Sequence, residues 1–416
     1  MDAVCETGFG VAVLKKEYDI VIVGGGIVGS ALAAMLAQQT ALSVAVLEAQ
    51  PSISAWSASA YSHRVSAITL ASQRIFQALD VWEAIRQKRV SPFNGIQVWD
   101  AKGKGEIEFY SREIAEPLLG FIIENSAMQS ALIEKIQHRT QVDFIYSVNL
   151  AEIVDGESGI ELIADNGGRF STRLAVAADG ASSWLRSRAG IEVEKYDYEQ
   201  HAIVATVHTA LPHQDIARQV FLETGPLAFL PLCPSHACSI VWSLPVEEAK
   251  YQLSLDDESF KQVLAQAFDH RLGDILSLER RYALPLYRQQ TRQYIRQHVA
   301  LVGDAAHTVH PLAGQGVNMG LLDAASLAEI IIDAHQQRRN FASFANLRRY
   351  ERWRKADNLA MLAGVDMIKN LFASDKKTVR SLRSFGLSMT NYLQWIKNGF
   401  TRYAVGDRGG LPRIAT

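Results

Sequence analysis

Cysteine is scarce. Cys5, Cys233 and Cys238 are the only three in 416 residues, too few for a disulfide framework, which excludes a small stapled secreted fold and suits a reducing cytosol. Neither sign of charge dominates: 42 Lys and Arg face 44 Asp and Glu for a net of −2, so a global nucleic-acid footprint is missing and no nucleic-acid partner is expected. A basic segment leading into an apolar core is also missing from the start of the chain, which carries Asp2 and Glu6, so a signal peptide is not expected. One stretch, Ile20 to Ala37, lacks charge for long enough to suggest a membrane span. Three consecutive glycines, Gly24 to Gly26, break any continuous helix there. The expected location is the cytoplasm, with at most a peripheral contact on the inner membrane. There are no internal repeats and no low-complexity tract. The length predicts two or three domains, and an apolar fraction of 48% supplies a core.

What fills the uncharged stretch is a nucleotide-binding pattern. Ile20 to Val23 is a β-branched run that reads as a buried strand, Gly24-x-Gly26-x-x-Gly29 follows at once, and an alanine-rich helix comes next. A second buried strand, Val44 to Leu47, ends in Glu48. Gly24 permits a tight turn, Gly26 lets a pyrophosphate approach the backbone, and Gly29 lets the helix pack on the strand. The helix start offers free N–H groups to phosphate, and Glu48 is placed to accept from a ribose hydroxyl. The glycines alone are a weak signal. Strand, glycines, helix, strand and acid in register point to a dinucleotide.

Further along, Ser52 to Ser62 is a small-residue loop, the spacing over Ser66–Ile85 predicts a helix, and Met128–Ile136 predicts another. From about Ala202 to Leu244 the period becomes two, with turns at Glu223–Pro226 and Cys233–Ser235, which reads as an antiparallel meander. Cys233-Pro-Ser-His236-Ala-Cys238 offers three soft ligands without a fourth, so a hairpin turn is the better reading than a metal site. From Val317 onward the pattern is helical.

Two more motifs follow buried strands. Ala177-Ala178-Asp179-Gly180-Ala-Ser-Ser183-Trp-Leu-Arg186 is one, and an Asp-Gly there is either a plain turn or part of a site. Val302-Gly303-Asp304-Ala-Ala-His307-Thr-Val-His310-Pro311-Leu-Ala-Gly314-Gln-Gly316-Val-Asn318-Met-Gly320 is the other. Strand ends that meet helix starts are where open α/β sheets bind ligands. Asp304 suits sugar hydroxyls, and the helix beginning near Val317 suits negative charge. Asp304, His307 and His310 have a metal-like spacing, but Pro311 and the glycines argue against the regular helix it would need.

Together, in this order, the three motifs resemble the flavin monooxygenases typified by p-hydroxybenzoate hydroxylase. Arg64-Val-Ser-Ala-Ile, Ile123-Glu-Asn125, Leu227-Ala-Phe-Leu-Pro231-Leu, Ser239-Ile-Val-Trp242-Ser-Leu-Pro and Arg348-Arg-Tyr350-Glu-Arg are similar to the ubiquinone-biosynthesis FAD-dependent hydroxylases, and most of all to the 2-polyprenylphenol 6-hydroxylase type. Ser126 departs from the arginine that many relatives carry there. The resemblance implies a p-hydroxybenzoate hydroxylase-like α/β fold: a discontinuous Rossmann-type FAD domain over 1–84, 120–192 and 290–338, an inserted antiparallel-sheet substrate domain over 85–119 and 193–289, and a C-terminal helical segment over 339–416. It implies non-covalent FAD, NAD(P)H as reductant, and O2 adding to the flavin as a C4a-hydroperoxide that hydroxylates a polyprenylphenol. Gly24, Gly26, Gly29 and Glu48 would hold the adenosine and pyrophosphate. Asp179 and Gly180 would support FAD and the approach of NAD(P)H, and Gly303 and Asp304 would take the ribityl chain. Pro311, Gly314, Gly316 and Asn318 would line the ring. Arg64 would sit near the phosphates, unless it is an ordinary surface arginine. Tyr198, Phe229 and Trp242 are substrate-pocket candidates, with plain core as the competing reading. No catalytic base is assigned, because the chemistry would be borne by the flavin. A flavin reductase acting on isoprenoid double bonds and a non-catalytic flavin scaffold are the alternatives. A homo-oligomer and contacts with other ubiquinone-biosynthesis proteins complete the expectation.

Charge is unevenly spread. Residues 341–416 hold fourteen Lys and Arg against five Asp and Glu, in clusters at Arg348, Arg349, Arg352, Arg354 and Lys355 and at Lys376–Arg383. Helices packed with basic faces in solvent would account for this, as would a peripheral surface for anionic lipid.

Overall fold

The computed structural model describes residues 15–52, 56–103, 105–308, 315–373, 397–399, 401–402, 405–406 and 409–416. The chain opens as the uncharged stretch dictates: strand β1 (Lys15–Val23), helix α1 (Ile27–Gln39) and strand β2 (Val44–Leu47). A short strand β3 (Val65–Ile68) precedes helices α2 (Leu70–Ala78) and α3 (Trp82–Arg86). This corrects the single helix expected over Ser66–Ile85. Val65 to Ile68 alternates in burial and pairs with a later strand, Thr69 caps α2 by accepting from the Ser72 N–H, and Asp80 at φ 55° ends the turn after it.

Strands β4 (Val90–Phe93), β5 (Gly95–Asp100), β6 (Glu106–Tyr110) and β7 (Gly120–Glu124) lead to helix α4 (Asn125–Gln137). Then come β8 (Val142–Ile145), β9 (Leu150–Asp155), β10 (Ile160–Ala164), β11 (Arg169–Ala177) and the short helix α5 (Trp184–Arg188). The meander is β12 (Val193–Thr209), β13 (Ile216–Phe221), β14 (Pro226–Pro231) and β15 (Ala237–Pro245), followed by helices α6 (Val246–Ser254) and α7 (Asp257–Ala267). Strands β16 (Ile275–Leu278), β17 (Tyr282–Thr291), β18 (Ile295–Arg296), β19 (Val299–Leu301) and β20 (His307–Thr308) bring the chain to helices α8 (Gly316–Gln336) and α9 (Phe344–Ala373).

Three sheets result among the described residues. The first has the order β18-β19-β11-β1-β2-β8, with β10 and β9 added beside β11. Its central strands β19, β11, β1, β2 and β8 are all parallel. The four inner ones carry buried apolar runs, Val299–Leu301, Leu174–Ala177, Ile20–Val23 and Val44–Leu47, as a sheet covered on both faces requires, while the edge strand β8 includes the exposed Asp143. The second has the order β20-β17-β12-β15-β14-β13-β5-β6 with β16 beside β12, and is antiparallel except at β13–β5. The third is β3-β7-β4. β4 pairs with β7 while β5 begins the second sheet, so the chain crosses between sheets at Asn94, whose N–H donates to Asp215.

One core surrounds the first sheet and takes in α1, α2, α4, α8 and Tyr350 of α9. A second lies between one face of the second sheet and helices α6 and α7. Leu230, Leu232 and Ala237 of the meander pack on the first core, which locks the two sheets together.

Candidate functional site

In the first sheet Leu301, Ala177, Val23 and Leu47 lie side by side as the last residues of four parallel strands. The chain leaves each of them into a motif, so Gly24, Glu48, Asp179 and Gly303-Asp304 gather along one carboxyl edge. β1 connects through α1 to β2 on one side, whereas its other neighbour β11 comes much later in the chain. That reversal is the position at which α/β sheets open a crevice.

The glycines divide by role. Gly24 has φ 105°, and a Cβ there would lie 2.4 Å from the Ala178 carbonyl oxygen, so the first loop crosses directly over the second motif. At Gly29 a Cβ would meet the Gly24 carbonyl oxygen at 2.0 Å, the close helix-to-strand contact expected of that position. Gly26 is the opposite case: nothing lies within 4 Å of its absent Cβ. It is the N-cap of α1, with no side-chain cap and no acid in the first turn. An open face beside uncapped helix N–H groups fits a pyrophosphate.

Glu48 reaches back to this loop. Its carboxylate accepts from the Gly25 N–H at 2.8 Å and from the Gln50 N–H at 3.0 Å. Phe144 stands over Gly25, and burial together with the Glu48 charge pushes the Tyr146 phenol up. These two aromatics beside the acid were not singled out from sequence, because β8 is short and joins the site only through pairing with β2.

Asp179 accepts from the Leu185 N–H at 3.1 Å through one oxygen, while the other is buried without a partner. Burial raises its carboxyl above the ordinary 3.8 despite the hydrogen bonds. Gly180 follows at φ 80° with open space around it. Arg186 then ties the second motif to the third, donating to the Ala181 and Ala305 carbonyls, each at 2.9 Å.

Gly303 turns at φ 61° against Val28 of α1. Asp304 is exposed, yet surrounding protein raises its carboxyl by desolvation, with His307 and Arg64 opposing. Both hold for a side chain on the floor of a cleft. One oxygen lies 3.9 Å from where a Gly316 Cβ would be, which sets Asp304 beside the start of α8. Arg64, exposed in the loop before β3, brings its positive charge to the same cleft.

Asn318 is buried, its amide oxygen accepting from the Thr69 N–H at 3.0 Å and its amide nitrogen donating to the Ala67 carbonyl at 2.7 Å. Its side chain therefore staples α8 to the β3–α2 junction. Pro311 and Gly314, like His310, lie outside the described residues.

Two substrate-pocket expectations need correction. Phe229 stacks on Phe268 with ring centroids 3.8 Å apart, and Trp242 packs near Phe260, both inside the core under α6 and α7. They point away from the first sheet. The alternation that put them in one core puts Ala228, Leu230, Val241 and Val204 on the other face, where Tyr282 is the register partner of Val204 and stacks on His63 at 4.3 Å. Tyr198 lies by the β12 irregularity with its ring edge-on to Tyr196. The Cys233–Cys238 segment is the turn between β14 and β15, with Cys238 in the second core and Cys233 exposed.

These features fit a nucleotide-cofactor site at the carboxyl edge of an open α/β sheet. Residues 17–362 match the model of the FAD binding domain family. The chain is 34% identical to the 3-demethoxyubiquinol 3-hydroxylase of Escherichia coli, over 94% of this chain and 99% of that one. It is 32% identical to the mitochondrial ubiquinone biosynthesis monooxygenase COQ6 of Homo sapiens, over 93% and 92%. Among solved structures it resembles the p-nitrophenol 4-monooxygenase PnpA of Pseudomonas putida DLL-E4, at 17% identity with a TM-score of 0.75 over 95% and 99% of the two chains. The chain belongs to the FAD-dependent hydroxylase family of ubiquinone biosynthesis, and its fold is of the p-hydroxybenzoate hydroxylase type. FAD is its cofactor, and NAD(P)H is the reductant typical of the family.

Proposed function

We propose that this chain hydroxylates the aromatic ring of a polyprenylphenol intermediate of ubiquinone biosynthesis, with non-covalent FAD, NAD(P)H as reductant and O2 as oxidant. The observation that carries the reading is the convergence of the three motifs on one carboxyl edge of the first sheet. Open Gly26 at the start of α1 and exposed Asp304 lie along that edge, and the second sheet carries a half-buried apolar face of Ala228, Leu230 and Val241. Gly24, Gly26 and Gly29 shape the pyrophosphate seat, Glu48 takes the adenosine ribose and Asp304 the ribityl hydroxyls. Arg64 supplies positive charge near the phosphates, and Asp179 and Gly180 support the cofactor from the β11 side. The start of α8 at Gly316, with Gly303 beneath it, flanks the ring, joined by Pro311, Gly314 and the backbone of Asn318. Held by these residues, FAD would supply the redox chemistry, with NAD(P)H as the source of electrons and O2 as the source of the oxygen atom added to the ring. The protein's share is to hold the phenol against the ring and to keep water away with the apolar sheet face.

The 2-polyprenylphenol 6-hydroxylase type is our choice among ring positions, and the E. coli relative, a 3-hydroxylase by name, makes the alternative concrete. A peripheral position on an anionic membrane, contact with other ubiquinone-biosynthesis proteins and a homo-oligomer belong to the same reading.

The test is NADH and O2 consumption by the purified holoprotein with a short-chain polyprenylphenol, the product analysed by mass spectrometry and NMR. Hydroxylation supports the proposal, and the NMR spectrum assigns the carbon. Substrate-stimulated NADH oxidation without O2 uptake would instead favour a reductase. A bound flavin that NAD(P)H does not bleach, whatever phenol is present, would favour a scaffold.

A further inference from the structure

Asp323 lies seven residues into α8 and is fully buried, and its two carboxylate oxygens meet four donors. One oxygen accepts from the Gly303 N–H at 3.1 Å and from His307 Nε2 at 2.5 Å. The other accepts from Arg354 Nε at 2.8 Å and from the Asn358 amide at 3.0 Å, both on α9. Arg354, also fully buried, spends its remaining nitrogens on Asp357 and Asn358, each at 2.9 Å. Nearby, Tyr350 donates to the Leu301 carbonyl at 2.6 Å and Glu351 accepts from the Tyr294 N–H at 2.9 Å, so α9 is also bonded to the strand that delivers the third motif. The carboxylate has about four acceptor sites and all are filled.

A buried ion pair is weak evidence for stability, because apolar residues of the same shape often serve as well. The donors on the first oxygen suggest what this one is for. Gly303 immediately precedes Asp304, and His307 follows it by three residues, so a single carboxylate oxygen holds both ends of the turn that carries Asp304. The turn is also tightly enclosed: a Cβ at Gly320 would lie 2.6 Å from Val28 and 3.2 Å from the Gly303 Cα. We propose that Asp323 is a positioning residue for the FAD site, setting Asp304 through His307 and the Gly303 N–H, and that α9 takes part through Arg354. The proposal rests on the reading of Asp304 as a cofactor contact.

The test keeps the ion pair and removes its grip on the turn. His307→Leu leaves Asp323 paired with Arg354 but takes a donor away, whereas His307→Gln restores an N–H of similar reach. Losing a hydrogen bond to a charged group should weaken FAD binding by about tenfold in His307→Leu, read by flavin fluorescence titration of apoprotein, with most of the loss regained in His307→Gln. In the apoprotein, hydrogen exchange over residues 303–308 should quicken in the leucine variant and recover in the glutamine one. The double variant Asp323→Leu with Arg354→Met removes the buried ion pair as a unit but leaves the Gly303 N–H, His307 and the Asn358 amide without their acceptor, so it should melt below the wild type and show the same weakened FAD binding. Wild-type affinity and exchange in His307→Leu would overturn the proposal, and so would a double variant that binds FAD normally. If the wild-type protein takes up no FAD, the functional reading fails, while the exchange comparison still decides whether Asp323 holds the turn.

Discussion

At the scale of single residues, the three glycines of the first motif are not equivalent, and the difference separates folding from binding. Gly29 has no room for a Cβ, whereas Gly26 faces open space. Gly26→Asp should therefore fold normally and place a carboxylate in the proposed pyrophosphate seat. The expected outcome is a colourless protein with an unchanged melting temperature, and Glu48→Arg should likewise lose the flavin. Full flavin occupancy in both variants, measured by absorbance, would remove the site from this edge of the sheet. Asp304 carries the complementary trade. Its carboxyl is raised by desolvation, so the folded chain binds that proton more tightly than the unfolded chain does. Stability is then lost as pH rises from the ordinary value toward the folded one, and the deficit persists at neutral pH. Asp304→Asn should remove that deficit in the apoprotein while weakening FAD, the usual exchange at a functional site. A melting temperature that falls in the apoprotein, or FAD affinity that does not change, would contradict this. Both can be measured on one preparation.

Elements show where sequence reasoning reached and where it stopped. The β1–α1–β2 unit and the Gly-Asp and Asp-Gly strand ends were legible because each is local: a strand, a turn and a helix start within a few residues. The β14–β15 turn at Cys233 was legible for the same reason. β3 was not, because its four residues become a strand only by pairing with β7, more than fifty residues on. Nor was the direction of Phe229 and Trp242, since alternation tells which residues share a face but not which face meets helices α6 and α7. Asp323 sat unnoticed inside an apolar helix, as its partners come from three separate elements. The loop before β3 is another long-range case. Arg89 donates to the Ser57 and Ala60 carbonyls at 2.7 and 2.6 Å and to Glu124 at 2.9 Å, and its guanidinium lies over Trp56 and Tyr61. Glu124, buried, also accepts from Ser62 N–H and Trp56. This clamp shapes the segment that delivers His63 and Arg64 to the cleft. Arg89→Met would leave the buried carboxylate without its cation, and should lower stability by about 3 kcal/mol in urea unfolding. Adding Glu124→Gln should return part of it. A single variant as stable as the wild type would mean the clamp is incidental.

On the scale of the whole molecule, the basic excess at the C-terminal end divides into parts with different fates. Among described residues Arg354 is consumed in the core, Lys397 bonds Glu113 at 2.7 Å, and Arg348 bonds Glu351 at 2.7 Å. Arg349 and Arg352 remain exposed on α9, on the side that also exposes Phe344 and Leu359. The second basic cluster, Lys376–Arg383, lies outside the described residues. No helix among the described residues is long and apolar enough to cross a membrane, so any membrane contact through them would have to be made from the surface. Basic residues beside exposed apolar ones are the composition that binds an anionic interface. At about 1 kcal/mol per basic residue near such a surface, Arg349 and Arg352 together are worth roughly a thirtyfold change in partition. We therefore expect the holoprotein to sediment with phosphatidylglycerol vesicles at low salt, and to release as ionic strength rises and the Debye length shortens. Arg349→Gln with Arg352→Gln should weaken that binding by the stated factor, and neutralising Lys376–Arg383 should weaken it further, with flavin content unchanged in both. Binding indifferent to salt and to these substitutions, or no binding at all, would make the exposed face of α9 ordinary solvent surface, and a polyprenyl chain on the proposed substrate would then have to reach the site without help from a docked membrane.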